Sequence, residues 1–267
     1  LANPAQVQEA KLLSIINANK DTEFGKRYGF GAIKSVSDYQ KQVPASEYED
    51  LRPYIEAEMA GVPNKLTAEM PVMFATTSGT TGKPKFIPIT PAHLKDYTHA
   101  FQVHNWALVK DSLPNVALPG ARYLIFASND CEGYTEAGIP YGAVSGLLRR
   151  QQSPLVSRYF SLPMEISRIK DVQVKYYTAL RIALCQRIAA VLACNPSTLL
   201  LLADQLNEHA EDLIADIFDG TLRQDMRLPG ALGEALGGHF KQDKTSARKL
   251  ARLLEQEGCL LPRTVWP

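Results

Sequence analysis

No stretch of this sequence stays apolar long enough to cross a bilayer, neither sign of charge dominates, and no two cysteines form a Cys-x-x-Cys pair. Each absence removes a class of function. The most apolar region, residues 179–193, is interrupted by Arg181, Gln186 and Arg187 and falls short of the roughly 20 residues that a spanning helix needs. Lys and Arg number 29 against 28 Asp and Glu, which leaves no basic footprint for nucleic acid. The pair Arg149-Arg150 is isolated and reads as solvated. The four cysteines, Cys131, Cys185, Cys194 and Cys259, make no disulfide framework. Buried, reduced thiols in a cytoplasmic protein are the expectation. No basic-then-apolar signal opens the chain, and its start at Leu1 rather than Met suggests processing or trimming.

Other absences narrow the chemistry. His93, His99 and His104 fall in one helical stretch but not three or four residues apart, so they build no metal site. His209 and His239 read as surface residues. Gly142 and Ser145 stand one residue too far apart for a Gly-x-Ser-x-Gly elbow, which argues against a serine hydrolase. What remains is ordinary bulk: 45% hydrophobic residues in a chain of 267, enough for a substantial core in one large domain or two.

Against this plain background residues 76–90 stand out: Thr-Thr-Ser-Gly-Thr-Thr-Gly-Lys-Pro-Lys-Phe-Ile-Pro-Ile-Thr. Glycine lets backbone approach a ligand, and successive N–H groups in such a turn form an anion-binding nest. The hydroxyls of Thr77, Ser78, Thr80 and Thr81 add donors, while Lys83 and Lys85 add charge. A polyphosphate is the natural guest. The Walker loop does not fit, because Gly79 and Gly82 are separated by two residues and Lys83 is followed by Pro84. Pro84 and Pro88 flank Phe86-Ile87, so the exit is extended rather than helical. The entry, residues 72–75, also suits a strand. The spacing therefore predicts a strand–loop–strand clasp. A ligand-free Ser/Thr/Gly surface turn would share the composition, though not a match of nine successive residues to a known loop.

That match is to the adenylate-forming superfamily, whose phosphate loop Ser/Thr-Ser-Gly-Ser/Thr-Thr-Gly-x-Pro-Lys resembles Thr77 to Lys85 with Lys83 in the variable place. The surroundings narrow it. Phe24-Gly25-Lys26-Arg27-Tyr28-Gly29-Phe30, the run from Val43-Pro44 through Tyr48-Glu49-Asp50-Leu51-Arg52-Pro53-Tyr54-Ile55, and Phe86-Ile87-Pro88 are similar to the auxin-responsive Gretchen Hagen family of acyl-acid amido synthetases. The Thr-Gly-Lys-Pro-Lys form suggests a bacterial branch. The resemblance implies an ATP-dependent adenylation of a carboxylic acid, then acyl transfer to an amine such as an amino acid. It implies that Lys85 is catalytic, that Thr77, Ser78, Gly79, Thr80, Thr81, Gly82 and Lys83 bind ATP, and that neither nucleic acid nor membrane is a partner.

For the acid substrate the resemblance points to His104, because the matching helix lines that pocket in plant relatives. A core histidine with a satisfied ring is the other reading. Residues 138–146, with Tyr141 and Ser145, could let backbone approach the acid or adenine, or could merely pack. Mg²⁺ is implied as well, but its glutamate belongs to a Tyr-Gly-x-x-Glu motif that this sequence lacks. Gly133-Tyr134-Thr135-Glu136 has the wrong order. The chain thus resembles an N-terminal half without the C-terminal domain, expected to be inactive alone. A truncated non-catalytic nucleotide- or partner-binding remnant, or an acyl-CoA-synthetase-like ligase, are the alternatives.

The predicted fold class is α/β, a mixed sheet with flanking helices, the N-terminal part of the large domain of an adenylate-forming enzyme. Residues 1–70 read as a helical lead-in, 71–150 as the phosphate-loop strands and an α/β part, and 151–267 as mainly helical. Asn3-Pro4 caps a first helix to about Asn19, with Val7, Ala10, Leu13 and Ile16 on one face. Ser46 and Glu49 form a capping box, Pro53 kinks or restarts that helix, and Gly61 stops it. Thr90-Pro91 starts a helix to about Lys110 with Leu94, Tyr97, Phe101, His104 and Leu108 on one stripe. Residues 122–127 suit a buried strand, and 131–146 a long loop. Residues 169–192, 206–218 and 245–257 read as helices, and 199–202 as a short strand or a helix start.

Overall fold

The computed structural model describes residues 3–77, 84–116, 120–228 and 230–266. Asn3 opens α1 (Pro4–Ala18) by accepting from the Gln6 amide, and Pro4 takes the first helical position, where a missing N–H costs nothing. Thr22 starts α2 (Glu23–Arg27) by accepting from the Gly25 amide, and Ser35 starts α3 (Val36–Gln42). The next helix, α4 (Tyr48–Met59), begins later than expected. The Ser46 hydroxyl donates to the Pro44 carbonyl, and the box is Glu47 with Asp50 instead. Pro53 lies inside α4 without ending it. Gly61, at φ 88°, carries the chain out in the left-handed conformation that favours glycine.

The clasp strands follow as β1 (Met73–Thr77) and β2 (Lys85–Ile89). The Thr90 hydroxyl then accepts from the His93 amide at the start of α5 (Pro91–Val116), which runs on past the expected end. Beyond it come β3 (Arg122–Phe126), β4 (Gly133–Tyr134), β5 (Pro140–Gly142), α6 (Val144–Arg150) and α7 (Pro154–Ser157). The chain continues with α8 (Val172–Ala183), β6 (Ile188–Ala193), α9 (Ser197–Glu208), α10 (Ala210–Asp219) and α11 (Gly230–Gly237). The last helices are α12 (Lys244–Glu257) and α13 (Pro262–Val265). The architecture is α/β with a mixed sheet and flanking helices. Strand order is β2-β1-β5-β4, with β1 antiparallel to β2 and parallel to β5, and β5 antiparallel to β4. A second, two-stranded sheet pairs β3 with β6 in parallel. Among the described residues no helix is long and apolar enough to cross a membrane.

The chain divides into two compact units. The first, Leu1–Gln102 with Asp130–Val144, holds the four-stranded sheet. Ile16, Phe30 and Ile33 form one buried cluster with Leu12, Leu13, Phe24 and Tyr28 against it, and Met73, Phe74 and Ile89 are buried in the strands. The cluster reaches only the later turns of α1, so its buried stripe is Leu12, Leu13 and Ile16, while Val7 is exposed. On α5 Leu94 of the expected apolar stripe is buried, while Tyr97 and Phe101 stack on each other in the open and His104 is exposed; the Leu108 side chain lies outside the described ones. The long loop expected at 131–146 is instead the β4–β5 hairpin followed by the start of α6. Gly133 has a packing reason, since a Cβ there would stand 2.3 Å from the Tyr141 hydroxyl.

Glu58, near the end of α4, is 1% exposed. Its Oε1 accepts from the amides of Leu66 and Thr67 at 2.8 and 2.6 Å and from the Thr67 hydroxyl at 3.0 Å, while Oε2 is buried without a partner. Burial raises its pKa above the ordinary 4.5, and the three donors only partly offset that. The folded chain therefore binds more protons here than the unfolded one, and stability falls as pH rises through the ordinary value toward the folded one. The stability of Glu58→Gln relative to wild type is expected to increase with pH across that window, by urea unfolding at several pH values. A flat or inverted difference would contradict the assignment.

The second unit, Val103–Asn129 with Ser145–Pro267, is helix-rich. Leu124, Tyr177, Leu180, Leu206, Leu213, Ile217, Leu236 and Leu260 build its core. A polar hub runs through it. Asp216 accepts from the Tyr177 hydroxyl at 2.6 Å, the Thr221 hydroxyl at 2.7 Å and the Arg223 amide at 2.8 Å. The fully buried Arg181 donates to the carbonyls of Asp216, Thr221 and Lys241 at 3.0 to 3.1 Å. Burial, then the Asp216 hydrogen bond, drives the Tyr177 phenol pKa up.

Several expectations change in this unit. Helix α8 stops at Ala183, and residues 188–193 extend as β6 because they pair with β3; tertiary pairing overrides the helical preference of alanine. The helix expected over 206–218 is two, broken at His209, and 199–202 lies in the first of them. His209 is not a surface residue: its ring packs edge-on to Tyr177 at 5.4 Å. His239 is exposed. Arg149 is buried rather than solvated, because its guanidinium donates to the carbonyls of Ile125 and Leu162. The cysteines are free but none is fully buried, and Cys194 is exposed.

Candidate functional site

The motif of residues 76–85 falls on the hairpin of β1 and β2. The ladder runs from Met73↔Ile89 to Thr77↔Lys85, so those two residues face each other where the strands part. Ser78, Gly79, Thr80, Thr81, Gly82 and Lys83 lie outside the described residues. Pro84 leads into β2 and is exposed. Strands thus flank these residues on both sides, with β2 at the edge of the sheet.

Neighbouring elements pin the root of the hairpin. From the first turn of α4, the Tyr48 hydroxyl accepts from the Phe86 amide at 2.8 Å and donates to the Phe86 carbonyl at 3.3 Å. It thereby satisfies backbone groups that an edge strand otherwise leaves to solvent. The Tyr48 ring carries two cations, the Lys85 ammonium 5.5 Å from its centroid and the Arg52 guanidinium carbon at 4.9 Å. Arg52 is already neutralised: Glu49 takes it through two bonds of 2.6 and 2.7 Å, and Glu56 stands at 3.6 Å. Glu49 holds the Arg52 pKa above its ordinary value. Lys85 has no carboxylate partner among the described residues. On the other side, the Thr76 hydroxyl donates to Glu132 at 3.3 Å.

The other sequence-derived candidates scatter. Tyr141, on β5, lies level with Phe74 of β1 and packs its ring edge-on to Phe86, the residue after Lys85, at 5.4 Å. His104, on α5, belongs to the second unit; it is exposed, which removes the core-histidine reading. Ser145 also belongs to the second unit, where its hydroxyl accepts from the Ser128 amide at 3.2 Å. Sequence reasoning missed Tyr48, Arg52 and Glu132. Only the Arg52 pairs, three and four residues from Glu49 and Glu56 on one helix, were accessible to it. Among the described residues no group of three or more His, Cys, Asp or Glu could hold a metal ion.

At the described end of the hairpin the arrangement offers a polyanion an ammonium with no carboxylate partner among the described residues, and the hydroxyls of Thr76 and Thr77. Comparison with known proteins places the chain in a family. The sequence is 27% identical over 266 residues to an indole-3-acetic acid-amido synthetase, GH3.15, of Arabidopsis thaliana, covering 96% of this chain and 43% of that protein. It is 26% identical over 235 residues to a jasmonoyl–L-amino acid synthetase, GH3.5, of Oryza sativa subsp. japonica, covering 84% of this chain and 40% of that one. The fold superposes on the GH3.15 acyl acid amido synthetase structure with a TM-score of 0.76 at 25% identity, over 96% of this chain and 45% of that one. The chain therefore spans less than half the length of these relatives. A family model described as the GH3 family N-terminal domain matches residues 1–267. Hairpin, mixed sheet and family match agree: the chain belongs to the GH3 family, as its N-terminal domain.

Proposed function

We propose that this chain supplies the ATP-gripping part of an acyl-acid amido synthetase. In the first half-reaction a carboxylate oxygen of the acid attacks the α-phosphorus of ATP. An acyl–phosphate bond forms, the bond to the bridging oxygen breaks, and pyrophosphate leaves with its electron pair. In the second, an amine nitrogen attacks the acyl carbon, AMP departs, and the nitrogen gives up a proton. Neither step needs a side-chain nucleophile. Rate comes from aligning the groups and offsetting the charge that builds on the leaving pyrophosphate.

The observation that carries this reading is the phosphate-loop sequence spanning a hairpin whose root pairs Thr77 with Lys85. In the proposed complex, residues 77–83 donate amides and hydroxyls to the β- and γ-phosphates. Lys85 provides a fixed positive charge, which it can do because no carboxylate competes for it among the described residues. His104, Tyr141 and Ser145 are proposed contacts to the acid or the adenosine. The described residues do not fit a Mg²⁺ site, and no step above is assigned to that ion.

The names of the relatives point to a carboxylic acid and an amino acid as the two small substrates of the full chain. A panel of carboxylic acids in a pyrophosphate-release assay tests this. Acid-dependent release is the expected result, and acid-independent ATP hydrolysis alone would contradict it.

A further inference from the structure

Resting on that reading, we propose that Tyr48 is a positioning residue of the phosphate clasp, its hydroxyl fixing the backbone at Phe86 and its ring holding the Lys85 ammonium until a polyphosphate takes it. Three observations converge on this one side chain. The hydroxyl engages both backbone groups of the residue that follows Lys85, at 2.8 and 3.3 Å, from a helix 38 positions earlier in the chain. The strand it engages is the edge of the sheet, so no neighbouring strand does the same work. The ring is the described partner of Lys85, at 5.5 Å.

The electrostatics suit a resting place rather than a trap. An ammonium near an aromatic ring at a half-exposed site is weakly held, whereas a charge-assisted bond to phosphate is one of the strong ones. Arg52 shares the ring at 4.9 Å, and two cations on one ring repel. Arg52 is anchored there by Glu49 and Glu56, so Lys85 is the one free to leave. The ring thus keeps the ammonium near the mouth of the hairpin without neutralising it, as a carboxylate would. The hydroxyl meanwhile fixes where the Lys85 side chain starts.

The test is a titration of the full chain with tripolyphosphate and with ATP, for wild type, Tyr48→Phe, Tyr48→Leu, Lys85→Ala and the double variant Tyr48→Leu/Lys85→Ala. Loss of one hydrogen-bonding hydroxyl is expected to weaken binding about five- to tenfold in Tyr48→Phe, and loss of the ring to weaken it further in Tyr48→Leu. In the Lys85→Ala background Tyr48→Leu should cost clearly less than it does alone, because the two side chains act as a unit. The KM for ATP should rise while the KM for the acid and the thermal midpoint hold. Undiminished binding in Tyr48→Phe with additive losses in the double variant would overturn the role of Tyr48 and leave the clasp intact. A lowered thermal midpoint with both KM values raised would make the residue merely structural and overturn it too. Wild type that binds neither polyanion would remove the clasp and this role together.

Discussion

Lys85→Ala in the full chain should lower ATP–pyrophosphate exchange by about a hundredfold or more, the usual loss when one preorganised charge or donor is removed from a developing anion. The size follows from position. Lys85 faces Thr77 at the end of the ladder and has no carboxylate partner among the described residues, whereas the other cation on the Tyr48 ring, Arg52, is committed to Glu49 and Glu56. Lys83→Ala should cost much less, since that place varies in the loop pattern while the lysine at 85 does not. Ser78→Ala should fall between the two. Exchange measured with saturating acid separates the first half-reaction from the second. Wild-type exchange in Lys85→Ala would refute the assignment of the charge.

The second large effect concerns stability, not chemistry. Asp216→Ala should destabilise the chain by about 3–5 kcal/mol, because it strips a buried network of its acceptor. Three donors converge on that carboxylate, and two of them, the Tyr177 hydroxyl and the Arg223 amide, share one oxygen. Arg181 then remains fully buried beside it, held by three carbonyls and the Cys185 sulfur with no carboxylate. Asp216→Asn retains one oxygen as acceptor and should lose less. Urea unfolding followed by helical circular dichroism gives both values. A loss below about 1 kcal/mol for Asp216→Ala would mean that the hub relaxes or takes in water.

The two predictions rest on features of very different visibility in the sequence. The two strands of the hairpin were legible because their signals are local: two prolines fix the exit as extended, and β-compatible residues precede the Gly/Ser/Thr run. Asn3-Pro4, Thr90-Pro91 and Gly61 were legible for the same reason, since caps and breakers act within one turn. Even so, the box on α4 moved to Glu47 and Asp50, because the Ser46 hydroxyl was taken by a carbonyl two residues back.

What stayed hidden depends on distant partners. Strand β6 reads as helix in an alanine-rich run, and only pairing with β3 makes it a strand. β4 and β5 are two and three residues long in a glycine-rich stretch, too short for a period to show. The solvated reading of Arg149 failed because the carbonyls of Ile125 and Leu162 lie outside its local sequence. The hub of Asp216, Tyr177 and Arg181 links positions up to 60 residues apart, as in the Arg181 bond to Lys241. Within the candidate site, Thr77 and Lys85 came from the motif, whereas Tyr48 and Glu132 came only from the folded sheet.

The most direct measurement is a crystal structure of the full chain with ATP bound. The account expects the β- and γ-phosphate oxygens within hydrogen-bonding distance of amides and hydroxyls of residues 77–83, with the Lys85 ammonium moved from the Tyr48 ring onto phosphate. A triphosphate bound elsewhere, with Lys85 still resting on that ring, would contradict it.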